Sequence, residues 1–410
     1  MIEAVILSQG DELTTGQVVD TNSSWLAGQL WDVGIEVRQV RVLPDRRVDL
    51  IAAMRQLAGL APVVVCTGGL GPTRDDLTAE AAAEAFDRSL SERPEALAQI
   101  QARYASWGRT MSPANRKQAL LPDGVVILEN QRGTAPGFAL ETGSGSVLYC
   151  MPGVPHEMRA MFQTMVLPDI LRRHPISAPV VGRIGVIMPE SHLEERLADV
   201  DLAGAELGFL ANVRGNMVKL RFPPGTDDER RDQTLRAARA ALGARAFSIG
   251  ASDIAAVLGQ RLAERGETVA IAESCTGGQI SARLTAIPGS SRYFLEGAVL
   301  YSNEAKQRVC GVSLEMLDAH GAVSEPVVRQ LAAGIRASAG SDWGVGVSGI
   351  AGPGGERPGK PVGTVHLAVV GPHGVSAHID VRLPGDRARI TARAATQALL
   401  LLWQTVNTAS

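Results

Sequence analysis

Lysine is nearly absent from this chain. Its 410 residues include four, Lys117, Lys219, Lys306 and Lys360, among 40 Lys+Arg. Where any solvated cation would serve, the sequence uses arginine. A retained lysine therefore points to a task that a guanidinium cannot perform. The clearest such task is giving up a proton, because guanidinium stays charged in proteins whereas burial lowers the pKa of an ammonium. Aromatic residues are also scarce, at 4%, so the cores must be assembled from Ala, Val, Leu and Ile. The four cysteines (Cys66, Cys150, Cys275 and Cys310) form no CxxC. That spacing argues against a disulfide framework and is expected of reduced thiols in a cytoplasmic protein. No apolar run is long enough to span a bilayer, and Met1 leads straight into a strand-like run rather than a signal peptide. A net charge of −3 gives no general pull toward nucleic acid or anionic membranes, so neither partner is expected.

What is present is organised as α/β. The length predicts roughly two to four domains. Over residues 1–172, short apolar runs at Ile2–Ser8, Pro62–Cys66, Val125–Leu128 and Val147–Met151 alternate with helical patterns such as Thr21–Val33, which Asp20 or Thr21 can cap. Strands alternating with helices predict a mostly parallel sheet covered on both faces, with ligands received where strand C-termini meet loops. Arg172–Pro179 reads as a linker. Residues 178–248 form a smaller α+β pattern, with two strands around Asn212–Asn216 and a helix from Asp227. Between Val180 and Arg245, ten Arg/Lys balance ten Asp/Glu, which is no nucleic-acid footprint, and the segment lacks a GxxG clamp. Residues 250–410 read as a second α/β domain. It opens with an amphipathic helix at Ser252–Arg265 and a strand at Thr268–Ala272. Further strands are expected at Gly297–Tyr301, Trp343–Ser348, Val362–Val370 and near Val375–Val381, and a long helix at Asp386–Trp403.

Three loops at strand ends in the first domain carry possible chemistry. Gly10-Asp11-Glu12 follows the first strand, and Thr67-Gly-Gly-Leu-Gly-Pro-Thr-Arg-Asp-Asp-Leu-Thr78 follows the second buried one. The glycines at 68, 69 and 71 let backbone N–H groups converge on an anion. Asp75 and Asp76, read as opening a helix, could with Asp11 and Glu12 supply oxygen ligands to a hard divalent cation. Read blandly, the glycines make a tight turn and the aspartates cap a helix. The third loop, Met151–Met158, contains His156, which no HxH or HExxH pattern accompanies.

In the last domain, Glu273-Ser-Cys-Thr-Gly-Gly278 offers a hydroxyl nucleophile beside a glycine-rich bend, and Tyr301-Ser-Asn-Glu-Ala-Lys306 supplies the lysine. Serine with a neutral lysine is one solution to acyl transfer. The alternatives are that Lys306 is solvated, that Ser274 caps a helix, or that Cys275 is the nucleophile. Ser348–Gly355 is rich in free N–H groups. Gly354–Lys360 fits a P-loop spacing only until Pro361 replaces its Ser/Thr, and Gly344–Gly349 matches GxGxxG within what reads as a strand.

Taken together, Glu273–Gly278, Tyr301–Lys306, Gly321–Pro326, Ser348–Pro353 and Pro361–Thr364 resemble the C-terminal, nicotinamide-nucleotide amidohydrolase domain of the CinA (competence/damage-inducible) family. Gly-Asp-Glu-Leu at 10–13, Thr67–Thr73 and Pro152–Pro155 resemble that family's molybdopterin-binding-like domain, and the middle segment resembles its KH-type domain. The resemblance implies hydrolysis of nicotinamide mononucleotide to nicotinic acid mononucleotide and ammonia, with Ser274 as nucleophile and Lys306 as base. It implies oxyanion and phosphate-side donors at Thr276, Gly277 and Gly278, and a nucleotide pocket shaped by Tyr301, Asn303, Ser348, Gly349, Ile350, Ala351 and Gly352. Arg387 would meet the substrate phosphate. For the first domain it implies ADP-ribose pyrophosphatase activity. Thr67, Gly68, Gly69 and Gly71 would lie at the diphosphate, and magnesium, manganese or cobalt would sit on Asp11, Glu12, Asp75 and Asp76. No cofactor is expected in the last domain, and a homodimer is. Two other readings stand beside these, a non-catalytic nucleotide-binding scaffold and a pterin-binding first domain.

Overall fold

The computed structural model describes residues 2–176, 179–211, 215–251 and 253–409. The chain divides into two compact units, one up to Val180 and one from Val181. The turn expected around Asn212 and the residue Ser252 lie at least partly outside the described residues.

In the first unit the strands are β1 (Ile2–Gln9), β2 (Ile35–Leu43), β3 (Val63–Thr67), β4 (Leu90–Glu92), β5 (Leu120–Pro122), β6 (Val126–Leu128), β7 (Gly137–Glu141) and β8 (Val147–Met151). Six of them form a sheet in the order β2-β1-β3-β8-β7-β6. The ladders β2/β1, β1/β3 and β3/β8 are parallel, and β8/β7 and β7/β6 are antiparallel. The continuous apolar runs became the central strands. β3 is buried at every position because helices cover both faces. The edge strand β2 instead is buried only at Ile35 and from there alternates exposed and half-buried, and its run of charged residues hid it from a search for apolar stretches. The chain leaves β1 for β2 on one side, while β3 lies on the other. The C-ends of β1 and β3 therefore flank a reversal of strand order, where parallel sheets open a crevice.

In the second unit, β9 (Val180–Val186), β10 (Glu206–Leu210), β11 (Asn216–Phe222) and β12 (Ala246–Ile249) form a sheet ordered β10-β11-β9-β12. The helices Glu190–Leu197 and Asp228–Leu242 close its core. A second sheet contains β13 (Val269–Glu273), β14 (Phe294–Val299), β15 (Trp343–Gly349), β16 (Thr364–Val370) and β17 (Ser376–Arg382), in the order β14-β13-β15-β16-β17. Its first two ladders are parallel and its last two antiparallel. The helix Glu325–Ala339 lies on one face. The helices Ile254–Arg265, Gln279–Thr285 and Arg387–Thr408 lie on the other. The GxGxxG match is part of β15. A Cβ on Gly344 or Gly346 would strike the carbonyls of Ala332 or Val328, so these glycines let the helix lie directly on the strand. Here too order reverses at one strand, because β13 has β14 on one side and β15 on the other.

Two elements start three residues away from where the sequence pattern predicts. The helix expected to open at Asp75 begins at Thr78. The hydroxyl of Thr73 bonds both Asp75 and Asp76, and its N–H donates to Asp76 (2.8 Å), which holds residues 73–76 in a turn. The strand expected at Gly297–Tyr301 runs from Phe294 to Val299. Ser302 caps the helix Asn303–Cys310 through the Ala305 N–H (3.1 Å), and the backbone must turn before it.

Candidate active site

Ser274 is the first residue past β13, at the reversal point of its sheet. The chain turns sharply there. Gly277 and Gly278 have φ of 61° and 95°, a backbone region that side chains rarely tolerate. The N–H of Gly277 donates back to Ser274 O (3.2 Å). Across the turn, Lys306 sits on the buried face of the helix Asn303–Cys310, one turn before Cys310. The side chain is 2% exposed. Its Nζ lies 3.4 Å from Ser274 Oγ and donates to Leu300 O (2.8 Å) and Tyr301 O (3.2 Å), with Ser302 O at 3.4 Å. No carboxylate is among those partners. Burial pushes the amine below the usual lysine range. A neutral amine has two N–H donors and one lone pair. The two closer carbonyls can take the donors, which leaves the lone pair for the Ser274 hydroxyl.

The neighbouring thiol is a different case. Cys275 is 6% exposed and packs into the apolar core. Burial pushes its thiol up to about 12, so it is protonated and a poor nucleophile near neutrality.

The donors around Ser274 differ from those that the resemblance implies. The Gly277 N–H is spent on Ser274 O, and the Gly278 N–H on the Glu273 carboxylate (3.0 Å). The N–H groups of Cys275 and Thr276, like that of Ser274 itself, bond no other residue among those described, and the buried Thr276 Oγ1 is also unpartnered. Glu273, which the sequence reading left without a role, is fully buried.

The remaining candidates gather in part. The ladder β13/β15 pairs Ala272 with Gly346, so Ser348, two residues on, stands at the same sheet end as Ser274. Ser348, Ile350, Ala351 and Gly352 are buried. A Cβ on Gly349 would lie 3.0 Å from Cys275 Sγ and 2.9 Å from Thr364 O, so this glycine lets the loop close against the serine turn. Arg387, the first residue of the last helix, donates to Gly352 O (2.7 Å) and to the exposed Tyr301 hydroxyl (2.7 Å). It thus joins the 348–353 loop to the lysine segment. Asn303 is exposed at the start of its helix.

In the first unit a cleft of about 570 Å³ opens at the ends of β1, β3 and β8. Of the predicted carboxylates, Glu12, Asp75 and Asp76 line it, whereas Asp11 does not. Asp11 instead accepts from the Asp45 N–H (3.1 Å), and its own N–H donates to Asp45 (3.0 Å). Thr73 holds Asp75 below the usual carboxylate range, while burial raises Asp45. Asp45, Gln9, Asn22 and Glu157 line the cleft without having been singled out. Asp45 follows the end of β2, the edge strand that the apolar pattern did not reveal, so no sequence signal pointed to it. Thr67 and Gly68 are occupied internally. The Thr67 hydroxyl donates to Pro152 O (3.0 Å), and the Gly68 N–H to Met151 O (3.0 Å). The N–H groups of Gly69 and Gly71 bond no backbone group among those described. No three His, Cys, Asp or Glu side chains among the described residues gather into a metal-ligand set. The carboxylates as placed do not form a ready cage for the divalent ion that the resemblance implies. His156 is exposed. Among the described residues no helix is long and apolar enough to cross a membrane.

Comparison with known proteins agrees along the chain. Residues 251–406 match the family model described as the CinA C-terminal domain, and residues 5–172 match a probable molybdopterin binding domain. A CinA-like protein of Anaeromyxobacter sp. (strain K) is 43% identical over 406 residues, covering 98% of this chain and 99% of that one. One from Parasynechococcus marenigrum is 42% identical over 381 residues, covering 91% and 90%. Among solved structures, a CinA protein of unknown function from Thermoplasma acidophilum is 34% identical, covers 40% of this chain and 96% of its own, and superposes with a TM-score of 0.38. With relatives of one name matched from end to end, the chain belongs to the CinA family.

Proposed function

We propose that the second unit hydrolyses the carboxamide of nicotinamide mononucleotide, giving nicotinic acid mononucleotide and ammonia. The observation that carries this reading is the buried Lys306 amine 3.4 Å from Ser274 Oγ, with carbonyls positioned for its N–H groups. Lys306 takes the hydroxyl proton as Ser274 Oγ attacks the carboxamide carbon. The developing oxyanion meets the N–H groups of Cys275 and Thr276. Each such donor is worth roughly 3–4 kcal/mol in the transition state. The tetrahedral adduct collapses as the Lys306 ammonium returns the proton to nitrogen, which leaves as ammonia. Water then attacks the acyl ester, giving a proton to Lys306, which passes it to Ser274 Oγ as the ester bond breaks and the acid is released. Arg387 still has guanidinium N–H groups to offer beyond its two bonds, which suits it to the phosphate. Ammonia release by the full chain on nicotinamide mononucleotide tests the reading. No release, with the protein folded, would reject it.

A second reading concerns the first unit, where the cleft and the unspent N–H groups of Gly69 and Gly71 suit a diphosphate. We propose ADP-ribose as its substrate, cleaved to AMP and ribose 5-phosphate. Titration with ADP-ribose against a molybdopterin precursor discriminates this from pterin binding. Preference for the pterin would reject it.

A further inference from the structure

Glu273 takes no part in the steps above, yet it is a carboxylate with 0% exposure adjoining the nucleophile. One of its oxygens accepts from the N–H groups of Gly278 (3.0 Å) and Ile280 (3.1 Å). The other accepts from the N–H (2.8 Å) and the hydroxyl (2.7 Å) of Ser281. A carboxylate so far from water persists only where hydrogen bonds replace its hydration, and four donors do so here. The arrangement closes a ring. The chain leaves β13 at Glu273, turns through residues 274–278, and is drawn back onto the Glu273 side chain.

Ser274, Cys275 and Thr276 are all members of that ring. Two consequences follow. Because Gly278 donates to the carboxylate and Gly277 to Ser274 O, neither is left for the oxyanion, and the unspent N–H groups at 275 and 276 are offered instead. Because the first amides of the helix Gln279–Thr285 are already filled, they are not available to the phosphate, which is in keeping with Arg387 as its partner.

We infer that Glu273 is a positioning residue for acylation, setting the angle at which the Ser274 hydroxyl and the 275–276 N–H pair meet the carbonyl without touching substrate itself. This rests on the Ser274 nucleophile of the amidase reading. Glu273→Gln in the full chain keeps the shape but turns an amide N–H₂ toward N–H donors. Ammonia release should fall about 10–100-fold in kcat with KM within about threefold, the scale of a misplaced oxyanion donor. A fluorophosphonate, which labels an activated serine whatever the natural substrate, should modify Ser274 more slowly by the same factor per titratable site. A purely structural defect would instead lower the fraction of sites labelled and leave the rate constant intact, which would overturn the inference. Ser281→Ala, which removes one of the four bonds, should slow labelling in the same direction by a smaller factor. It decides the matter if the Gln variant does not fold, and wild-type labelling in it overturns the proposal. Should the wild type release no ammonia but label at Ser274 with this Glu273 dependence, the amidase reading fails and the positioning role stands.

Discussion

Replacing Lys306 by Met separates what the amine does for chemistry from what it does to stability. A methionine fills nearly the same volume and cannot accept a proton. Burial lowers the folded-state pKa of Lys306, whereas in the unfolded chain it sits near 10.4. Between those two values the unfolded chain binds one proton more than the folded one. Stability must therefore rise with pH across that window, by up to about 1.4 kcal/mol per unit. Above the unfolded value the penalty for burying the amine is gone, and below the folded value it is paid in full. The wild-type minus Met difference in stability should thus climb as pH rises from the lowered folded value toward the unfolded one. Loss of the bonds to Leu300 O and Tyr301 O costs the variant roughly 1 kcal/mol each, but that offset does not change with pH. Hydrogen exchange over the buried strand Val269–Glu273, measured for both proteins at each pH, reads the difference within the second unit. The Met variant should also lose about 10²–10⁴-fold in ammonia release, the usual contribution of a general base. A difference curve that is flat with pH would show that the amine is not displaced from its ordinary range, and the proposed base would be lost with it.

Other outcomes follow from the same geometry. Wild-type kcat should rise with pH as Lys306 loses its proton, and Lys306→Arg, which keeps the charge, should be nearly inactive; substantial turnover by the Arg variant refutes the base. Cys275→Ala should keep most activity, because the thiol is held near 12, and mass spectrometry of a trapped acyl-enzyme should place the adduct on Ser274; an adduct on Cys275 moves the nucleophile by one residue. Arg387→Ala should raise KM for nicotinamide mononucleotide about 10–100-fold, the worth of one charge-assisted bond, and have little effect on nicotinamide riboside; equal losses on both would put the phosphate elsewhere. Asp75→Ala combined with Asp76→Ala, which strips two carboxylates from the cleft lining, should lower ADP-ribose cleavage by the first unit, and unchanged turnover rejects that cleft as the site.

Much of the second site was legible from composition and order. The scarcity of lysine singled out Lys306, and the Ser-Cys-Thr-Gly-Gly turn after an apolar strand singled out Ser274, because a nucleophile at a strand end needs a sharp turn and glycine permits one. Buried strands such as Pro62–Cys66 and Trp343–Ser348 were also readable, since a continuous apolar run has few other uses. The edge strand Ile35–Leu43 was not, because only one of its faces is covered and its charges mask the alternation. Nor could a one-dimensional pattern show which donors are already spent. Gly277 and Gly278 look free in the sequence and are engaged in space, as are Thr67 and Gly68.

The sequence by itself determined the residue types and their places at strand ends, because these follow from local propensity and the period of apolar residues. Only the tertiary structure decided that the amine of residue 306 comes beside the hydroxyl of residue 274, that Asp11 turns to Asp45 and away from the cleft, and that Glu273 binds its own turn. Those outcomes depend on crossovers that bring distant segments to one sheet edge, and on competition among neighbours for each hydrogen bond. Both are properties of three-dimensional packing, which spacing along a chain does not encode.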